Sequence, residues 1–402
     1  MSNVSSSNGL GKYPKLRFKG FSEPWSATVL SDTFKKNSKK NTDGAIANVI
    51  CNSAKNGLIP QRDYFDKDIA NADNTDGYYI IEKDDFVYNP RKSSEAPYGP
   101  VSIYKYDEKG IVSPLYLCFR AMHPINAEFF DFYFKSSAWH RYIYLAGDSG
   151  ARHDRVSIRD DVFFAMPINL PSAAEQNKIS ILLTLIEKKI KAQAALVENL
   201  KKYKRGLLDK IFNQKSGLYP SSWAEISIEN LFEPISDKNH PDETVLTIIQ
   251  GQGTAPRDAI ERRIAYDKSS VKTYKLTEIG DFILHLRSFE GGLERTNQKG
   301  IVSPAYTVLR PKIVVATGFY YAYFRSYWFI NNKLRDSVEG IRDGKSINMS
   351  SFWKIRIPLP ALEEQLRLSS LFEMLDKKIQ KADCYLLSLQ TIKRTLLNQM
   401  FI

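Results

Sequence analysis

Lys109-Gly-Ile-Val-Ser-Pro114 recurs letter for letter as Lys299-Gly-Ile-Val-Ser-Pro304, 190 residues further along the chain. Working outward from this hexapeptide finds further landmarks in the same order. Upstream, Trp25-Ser-Ala-Thr-Val-Leu30 with Phe34 corresponds to Trp223-Ala-Glu-Ile-Ser-Ile228 with Phe232. Asp85-Phe86-Val87 with Arg91 likewise corresponds to Asp281-Phe282-Ile283 with Arg287. Downstream, Gly150-Ala-Arg152 corresponds to Gly340-Ile-Arg342, and Leu170-Pro171 with Glu175-Gln176 to Leu359-Pro360 with Glu364-Gln365. The offset drifts only from 198 to 189 over these landmarks. One whole module is duplicated, which excludes a short-period solenoid.

Each copy closes on a long helix. Pro171 with Glu175, and Pro360 with Glu363 and Glu364, mark the starts, because proline fits the first turn and acids favour the positive helix end. Alternate steps of four and three from Ile179 meet Leu183, Ile186, Ile190, Val197, Leu200, Leu207 and Ile211, interrupted by Gln193 and Lys204. The same steps from Leu368 meet Phe372, Leu375, Ile379, Ala382, Leu386, Leu389, Leu396 and Met400, interrupted by Lys393 alone. An apolar repeat of about 3.5 residues is a coiled-coil seam, and a helix of roughly 40 residues runs ~60 Å. The spacing predicts that the two helices pair; the alternative is that each packs only on its own globule. Between the helices the chain is rich in Tyr, Phe, Gly, Asn and Asp. Short strand-like runs appear there, such as Leu115–Phe119, Val245–Ile249, Phe282–Leu286 and Ile313–Thr317.

A length of 402 residues exceeds one ordinary core at roughly 150 residues per domain. An apolar fraction of 43% with 25% charged residues excludes a disordered or fibrous chain. No run approaches the ~18 apolar residues that span a bilayer, and the polar start Met1-Ser-Asn-Val-Ser-Ser-Ser-Asn has no apolar signal core, so a cytoplasmic protein without membrane partners is expected. Cys51, Cys118 and Cys384 are scattered and odd in number, which argues against a disulfide frame or a cysteine zinc site. Lysine and arginine (57) outnumber aspartate and glutamate (45), an excess of +12 that favours a polyanionic partner without specifying DNA.

Catalytic constellations are missing. The Asn/Asp-Pro-Pro-aromatic tetrapeptide of amino-methyltransferases is absent; Asn89-Pro90 continues as Arg91-Lys92. Gly344-Lys345-Ser346 resembles the end of a phosphate loop, but Glu339 stands where that loop needs glycine. The histidines (His123, His140, His153, His240, His285) have no metal-ligand spacing, and no nucleophile elbow or carboxylate-lysine nuclease set stands out. The reading is a non-catalytic chain holding no metal. A duplicated basic module with divergent interiors suits two different DNA half-sites split by an unread gap of under about 18 base pairs at ~3.4 Å each.

The order globule, Leu-Pro-x3-Glu-Gln with long helix, globule, Leu-Pro-x3-Glu-Gln with long helix resembles the specificity subunit of type I restriction-modification enzymes over essentially the whole chain. The helix ends Lys204-Arg205-Gly-Leu-Leu208 with Phe212 and Lys393-Arg394-Thr-Leu-Leu397 with Phe401 fit that pattern, as do Gly150 and Gly340 with Ser157-Ile158 and Ser346-Ile347. The resemblance implies an α+β fold: two similar mixed α/β target recognition domains separated by two long helices in an antiparallel coiled coil, a pseudo-twofold internal repeat. Expected boundaries are a disordered 1–13, a first recognition domain 14–167, a first helix 168–213, a second recognition domain 214–357 and a second helix 358–402. The resemblance further implies a bipartite asymmetric double-stranded DNA site and docking of two modification and two restriction subunits through the helices. S-adenosylmethionine, ATP and Mg would sit on those partners, whose complex is an adenine-N6 methyltransferase and ATP-dependent endonuclease, with no cofactor on this chain.

Base readout favours Arg, Lys, Asn, Gln and Ser on loops, and phosphate contact favours Lys, Arg and Tyr. In the first domain the candidates are Arg91, Lys92 and Ser93 after Phe86–Tyr88, then Arg152, His153 and Arg155. In the second they are Arg287 and Ser288, Arg295 in a glycine-rich loop, and Arg342 and Lys345. Each arginine has a structural alternative, buttressing its domain by pairing with an internal carboxylate. Lys35-Lys36 with Lys39-Lys40 read as a solvated loop. Lys204 and Lys393 either set the helix register or, the preferred reading, snorkel at a helix end. The competing functional class is a coiled-coil interaction scaffold whose globules bind peptides or RNA.

Overall fold

The computed structural model describes residues 13–64, 75–147, 154–216, 219–259, 268–286, 290–340 and 345–402. The N-terminal segment expected to be disordered, apart from Tyr13, lies outside these residues, as does Gly217, a glycine expected to end the first long helix. The chain divides into two compact units, Met1–Ala192 with Leu386–Ile402, and Gln193–Tyr385. The dividing lines fall inside the two long helices, Ala173–Phe212 and Leu362–Met400, so each unit holds one globule and a part of both helices.

In the first unit a four-stranded antiparallel sheet runs in the order Phe34–Lys36, Leu117–Ala121, Phe86–Tyr88, Val101–Ile103. In the second the order is Phe232–Ile235, Tyr306–Pro311, Phe282–His285, Glu294–Arg295. The repeated hexapeptide is the same strand in both units, Gly110–Val112 against Tyr79–Ile81 and Gly300–Val302 against Lys275–Thr277. Its glycine is required because a Cβ would lie 2.6 Å from Ile50 Cγ1 at Gly110 and 2.5 Å from the Thr244 carbonyl at Gly300. Its Ile and Val are fully buried in both copies. Its serine turns the chain: the Tyr116 amide donates to Ser113 O, as Tyr306 does to Ser303 O, both at 3.0 Å.

Asp85 and Asp281 are each the buried acid of a tight turn. Asp85 accepts the Glu82 amide at 2.8 Å and the Arg120 fork at 2.6 and 2.7 Å. Asp281 accepts the Glu278 amide at 2.8 Å and the Arg310 fork at 2.8 and 2.6 Å. The arginines that pair with internal carboxylates in both units are therefore Arg120 and Arg310, on the central strands.

The Leu-Pro-x3-Glu-Gln motif is a helix-entry device. Leu170 and Leu359 end strands that pair with Ser26–Val29 and Ala224–Ser227, directly after the two matched tryptophans. Gln176 Nε2 donates back to Pro171 O at 3.0 Å and Gln365 Nε2 to Pro360 O at 2.8 Å. Glu175, 1% exposed, takes the Arg17 fork at 2.7 and 2.8 Å, and Glu364 takes Trp223 Nε1 at 2.9 Å.

Within the first unit the start of the first long helix packs, through Ile179 and Leu183, on the globule and on Leu397 and Met400 of the second helix and Phe401 just past its end. Within the second unit Leu208 and Phe212 share a core with Phe372 and the globule. Partners fall in number on one helix as they rise on the other, so the helices run antiparallel in both units. Every predicted seam residue is buried or half-buried, including Ile186, Ile190, Val197, Leu200, Leu207, Leu368, Leu375, Ile379, Leu386, Leu389 and Leu396. The two packing alternatives are both realised, because each helix starts on its own globule and ends on the other. Phe401 sits 5.3 Å from Phe129 and 6.2 Å from Tyr133, while Phe212 sits 5.5 Å from Phe319 and 5.2 Å from Tyr323.

Three expectations are corrected. Lys393 Nζ lies 2.6 Å from Glu187 Oε1 and Lys204 Nζ 2.5 Å from Asp376 Oδ1, so both lysines pair across the helix interface rather than snorkel to water. Ile313–Thr317 is no strand: Ile313 and Val314 are exposed in a connector, and Thr317 starts the helix Thr317–Phe324. A run of β-branched residues makes a strand only where a neighbour pairs with it. Lys35 and Lys36 belong to an edge strand, with Lys36 Nζ 2.6 Å from Asp160.

Candidate nucleic-acid interface

The hairpin Ile50–Ser53 with Gly57–Pro60 and the segment that follows strand Phe86–Tyr88 face each other across a groove of about 580 Å³ in the first unit. The segment is shaped by Gly99, whose φ of +82° and missing Cβ let the chain pass the Asn89 carbonyl at a distance no side chain allows. Ser93 closes the turn, its amide donating to Ala96 O at 3.0 Å and its Oγ accepting the Ala96 amide at 3.1 Å.

Two separate stretches of candidates meet here. Arg91 and Arg155 form an antiparallel bridge, flanked by the Lys92 amide donating to Asp154 O at 2.8 Å and the Val156 amide donating to Pro90 O at 2.9 Å. This pairing brings Arg91, Lys92, Ser93 and Arg155 to one groove, where, among the described residues, Glu95 is the one lining acid. Arg91 and Ser93 are exposed, and Lys92 and Arg155 half-buried. Among the described residues the acid paired with Arg155 is Asp154, 3.9 Å away, too far for a hydrogen bond. The Arg155 guanidinium is thus left able to take an anion, and a groove of this sign attracts phosphate.

The other candidates are distributed differently. Arg152, His153, Arg287, Ser288 and Arg342 lie outside the described residues. Lys345 is exposed beside the strand Ser346–Ile347. Arg295 is half-buried in the second unit, with Nη1 3.3 Å from Thr317 Oγ1 and 3.8 Å from Glu373 Oε1, over the Tyr321 ring. Its surroundings are those of the buttressing alternative.

Sequence reasoning passed over the groove's other wall: Asn52, Lys55 and Asn56 of the hairpin, with Asn89 and Tyr116 beyond it. The signal was present, since Asn56-Gly57 between apolar runs is a hairpin turn. Asn52 is buried and serves the frame, donating to Val87 O at 2.7 Å and accepting Ser102 Oγ at 2.8 Å. Burial raises the Tyr116 hydroxyl and the Cys51 thiol above their ordinary values, so both stay neutral. Burial likewise pushes the Cys118 thiol up to about 12. Among the described residues no group of His, Cys, Asp or Glu gathers to hold a metal ion, and no described helix is long and apolar enough to cross a membrane.

No family model matches the chain. Among solved structures it is similar to the S subunit of a type I restriction-modification system from M. genitalium, at a TM-score of 0.57 and 16% identity, covering 97% of this chain and 99% of that one. It is equally similar, at a TM-score of 0.57 and 13% identity, to a chain from a structure of the type I R-M system that addresses complex assembly and conformational transition, covering 93% of this chain and 96% of that one. Two globules with long helices packed antiparallel give this chain the fold of a type I restriction-modification S subunit.

Proposed function

We propose that this chain is the DNA sequence-specificity subunit of a type I restriction-modification complex. Each globule reads one half of a bipartite, asymmetric double-stranded site, and the chain is itself non-catalytic. Modification and restriction subunits supply S-adenosylmethionine, ATP and Mg chemistry and work with it in the cytoplasm. The observation that carries this reading is the basic groove built by Arg91, Lys92, Ser93 and Arg155 on a frame that the chain repeats with different loops. A reader of two unlike half-sites needs such a repeated frame with changed contacts.

The first helix offers a docking face. Ile181 and Leu185 on the first helix, one turn apart, are each more than half exposed although the stripe of Ile179, Leu183 and Ile186 is buried or half-buried. Exposed apolar residues in a row are surface that a partner covers. The reading is tested by purifying the full chain with co-expressed modification subunits and selecting bound duplexes from a random pool. Enrichment of one split, asymmetric sequence supports it; uniform retention of all duplexes contradicts it.

A further inference from the structure

The first hairpin, Ile50–Ser53 with Gly57–Pro60, has a counterpart in the second unit, Leu246–Ile249 with Gly253–Pro256. The two frames agree residue by residue. Ser53 pairs with Gly57 as Ile249 pairs with Gly253, and Ile50 with Pro60 as Leu246 with Pro256. Gly57 and Gly253 both take positive φ, +70° and +84°, the left-handed residue that closes a three-residue hairpin loop. After the second strand the Gln61 amide donates to Val49 O at 2.8 Å, as the Arg257 amide does to Val245 O at 2.9 Å. Before the first strand Val49 bridges Ile111 of one repeated hexapeptide and Val245 bridges Ile301 of the other.

Against this identity of frame, the tips share no residue: Ala54-Lys55-Asn56 in one unit, Gln250-Gly251-Gln252 in the other, all exposed. Each tip's backbone is held from below by different means. In the first unit the Asn56 amide donates to Ser53 Oγ at 3.3 Å, and Asn89 Nδ2 donates to Asn52 O at 3.1 Å. In the second the buried Glu294 carboxylate accepts the Gly251 and Gly253 amides at 2.7 and 3.1 Å, steadied by the Tyr321 hydroxyl at 2.9 Å. Asn297 Nδ2 also donates to Gln252 O at 2.7 Å. A fixed backbone under exposed polar side chains is preorganised for contact, because little ordering entropy remains to be lost.

We propose that these hairpin tips are the base-reading elements of the two half-sites, an assignment that rests on the specificity reading above. A two-stranded ribbon fits the major groove of B-DNA, about 12 Å wide, and its tip meets base edges there. Lys55 matches the guanine O6 and N7 acceptors, while Asn56, Gln250 and Gln252 match the adenine N6 donor and N7 acceptor. Lys55 and Asn56 line the same groove as Arg91, Lys92 and Arg155, so the tip enters the bases while the opposite wall holds phosphate. The first half-site then contains guanine and adenine at adjacent contacted positions, and the second contains adenine without a required guanine.

The test is methylation mapping in cells that carry the partner subunits and either the native chain or a chain whose first tip is exchanged for the second (A54Q, K55G and N56Q together). The expected result is a methylated motif changed at one half-site only. Single Lys55→Ala and Asn56→Ala chains, which leave the frame intact, should relax discrimination about tenfold or more at one base pair each. These single variants decide the matter if the exchange abolishes marking. An unchanged motif in the single variants, or changes in both halves, overturns the hairpin assignment while the native chain's marking upholds the specificity reading. Failure of the native chain to direct any split motif would overturn both.

Discussion

Lys393 on the second long helix reaches Glu187 on the first at 2.6 Å, and the relation is repeated in exchange by Lys204 on the first and Asp376 on the second at 2.5 Å. Lysine and acid stand at matched places in the two repeats, so each lysine finds the other repeat's acid. A single polar residue in an apolar helix stripe specifies register when its partner is placed opposite it. Both pairs are partly exposed, with Lys204 19% and Asp376 49% accessible, so their contribution to stability is small beside that alignment.

Lys204→Asp should therefore lower thermal stability by about 1 kcal/mol through like-charge contact with Asp376, and the double change K204D with D376K should recover most of it. Thermal unfolding of the full chain in a double-mutant cycle measures the coupling. Additive effects would show that the lysine is aligned by its neighbours and not by the acid.

Acid should loosen the first unit through Glu187. Burial opposes its charge, but Lys135 and Lys393 outweigh that and hold its pKa below the ordinary 4.5. A folded-state pKa below the unfolded one contributes stability that is complete above the unfolded value and lost as pH falls through the folded one. The difference in melting temperature between the native chain and Glu187→Gln should be flat between about pH 6 and 8 and shrink below about pH 4.5.

Arg120 and Arg310 should matter more to folding than their partly exposed positions suggest. Removing either leaves a buried aspartate without its cation, at about 3 kcal/mol, whereas Asp85→Asn or Asp281→Asn leaves a partly exposed arginine that water, and for Arg120 also Glu82, still satisfies and costs about 1–2 kcal/mol. Denaturant midpoints of Arg120→Met against Asp85→Asn give the order; equal effects would contradict it.

Arg91→Ala, Lys92→Ala and Arg155→Ala should weaken duplex binding by the complex and each reduce the slope of log affinity against log salt by about one, if each neutralises one phosphate. Titration at several salt concentrations gives the slope. The methylated motif should stay the same, since phosphate contacts position a protein without reading sequence.

The duplication, the helix pair and its apolar stripe were legible because they are periodic, and period survives in a single sequence. Glu175 and Gln176 were legible as helix-start residues, but their function in clasping Arg17 and the Pro171 carbonyl depends on chain folded back over them. Of the groove, one wall was found from its basic residues. Arg91 and Arg155 meet only through a bridge between segments more than 60 residues apart, and no local pattern encodes that pairing. Lys55 and Asn56 went unread because one lysine and one asparagine on a turn look like any solvated loop until the matching frame at Gln250 is seen beside them. Lys204 and Lys393 were misjudged because the partner acids lie on the other helix, where sequence spacing gives no distance.

The most direct test of the central claim is genome-wide adenine methylation mapping in the source cell with this single gene present or deleted. The account predicts that deletion removes methyladenine from one split, asymmetric motif and leaves all others. Survival of every motif in a strain whose modification subunits are active would contradict it.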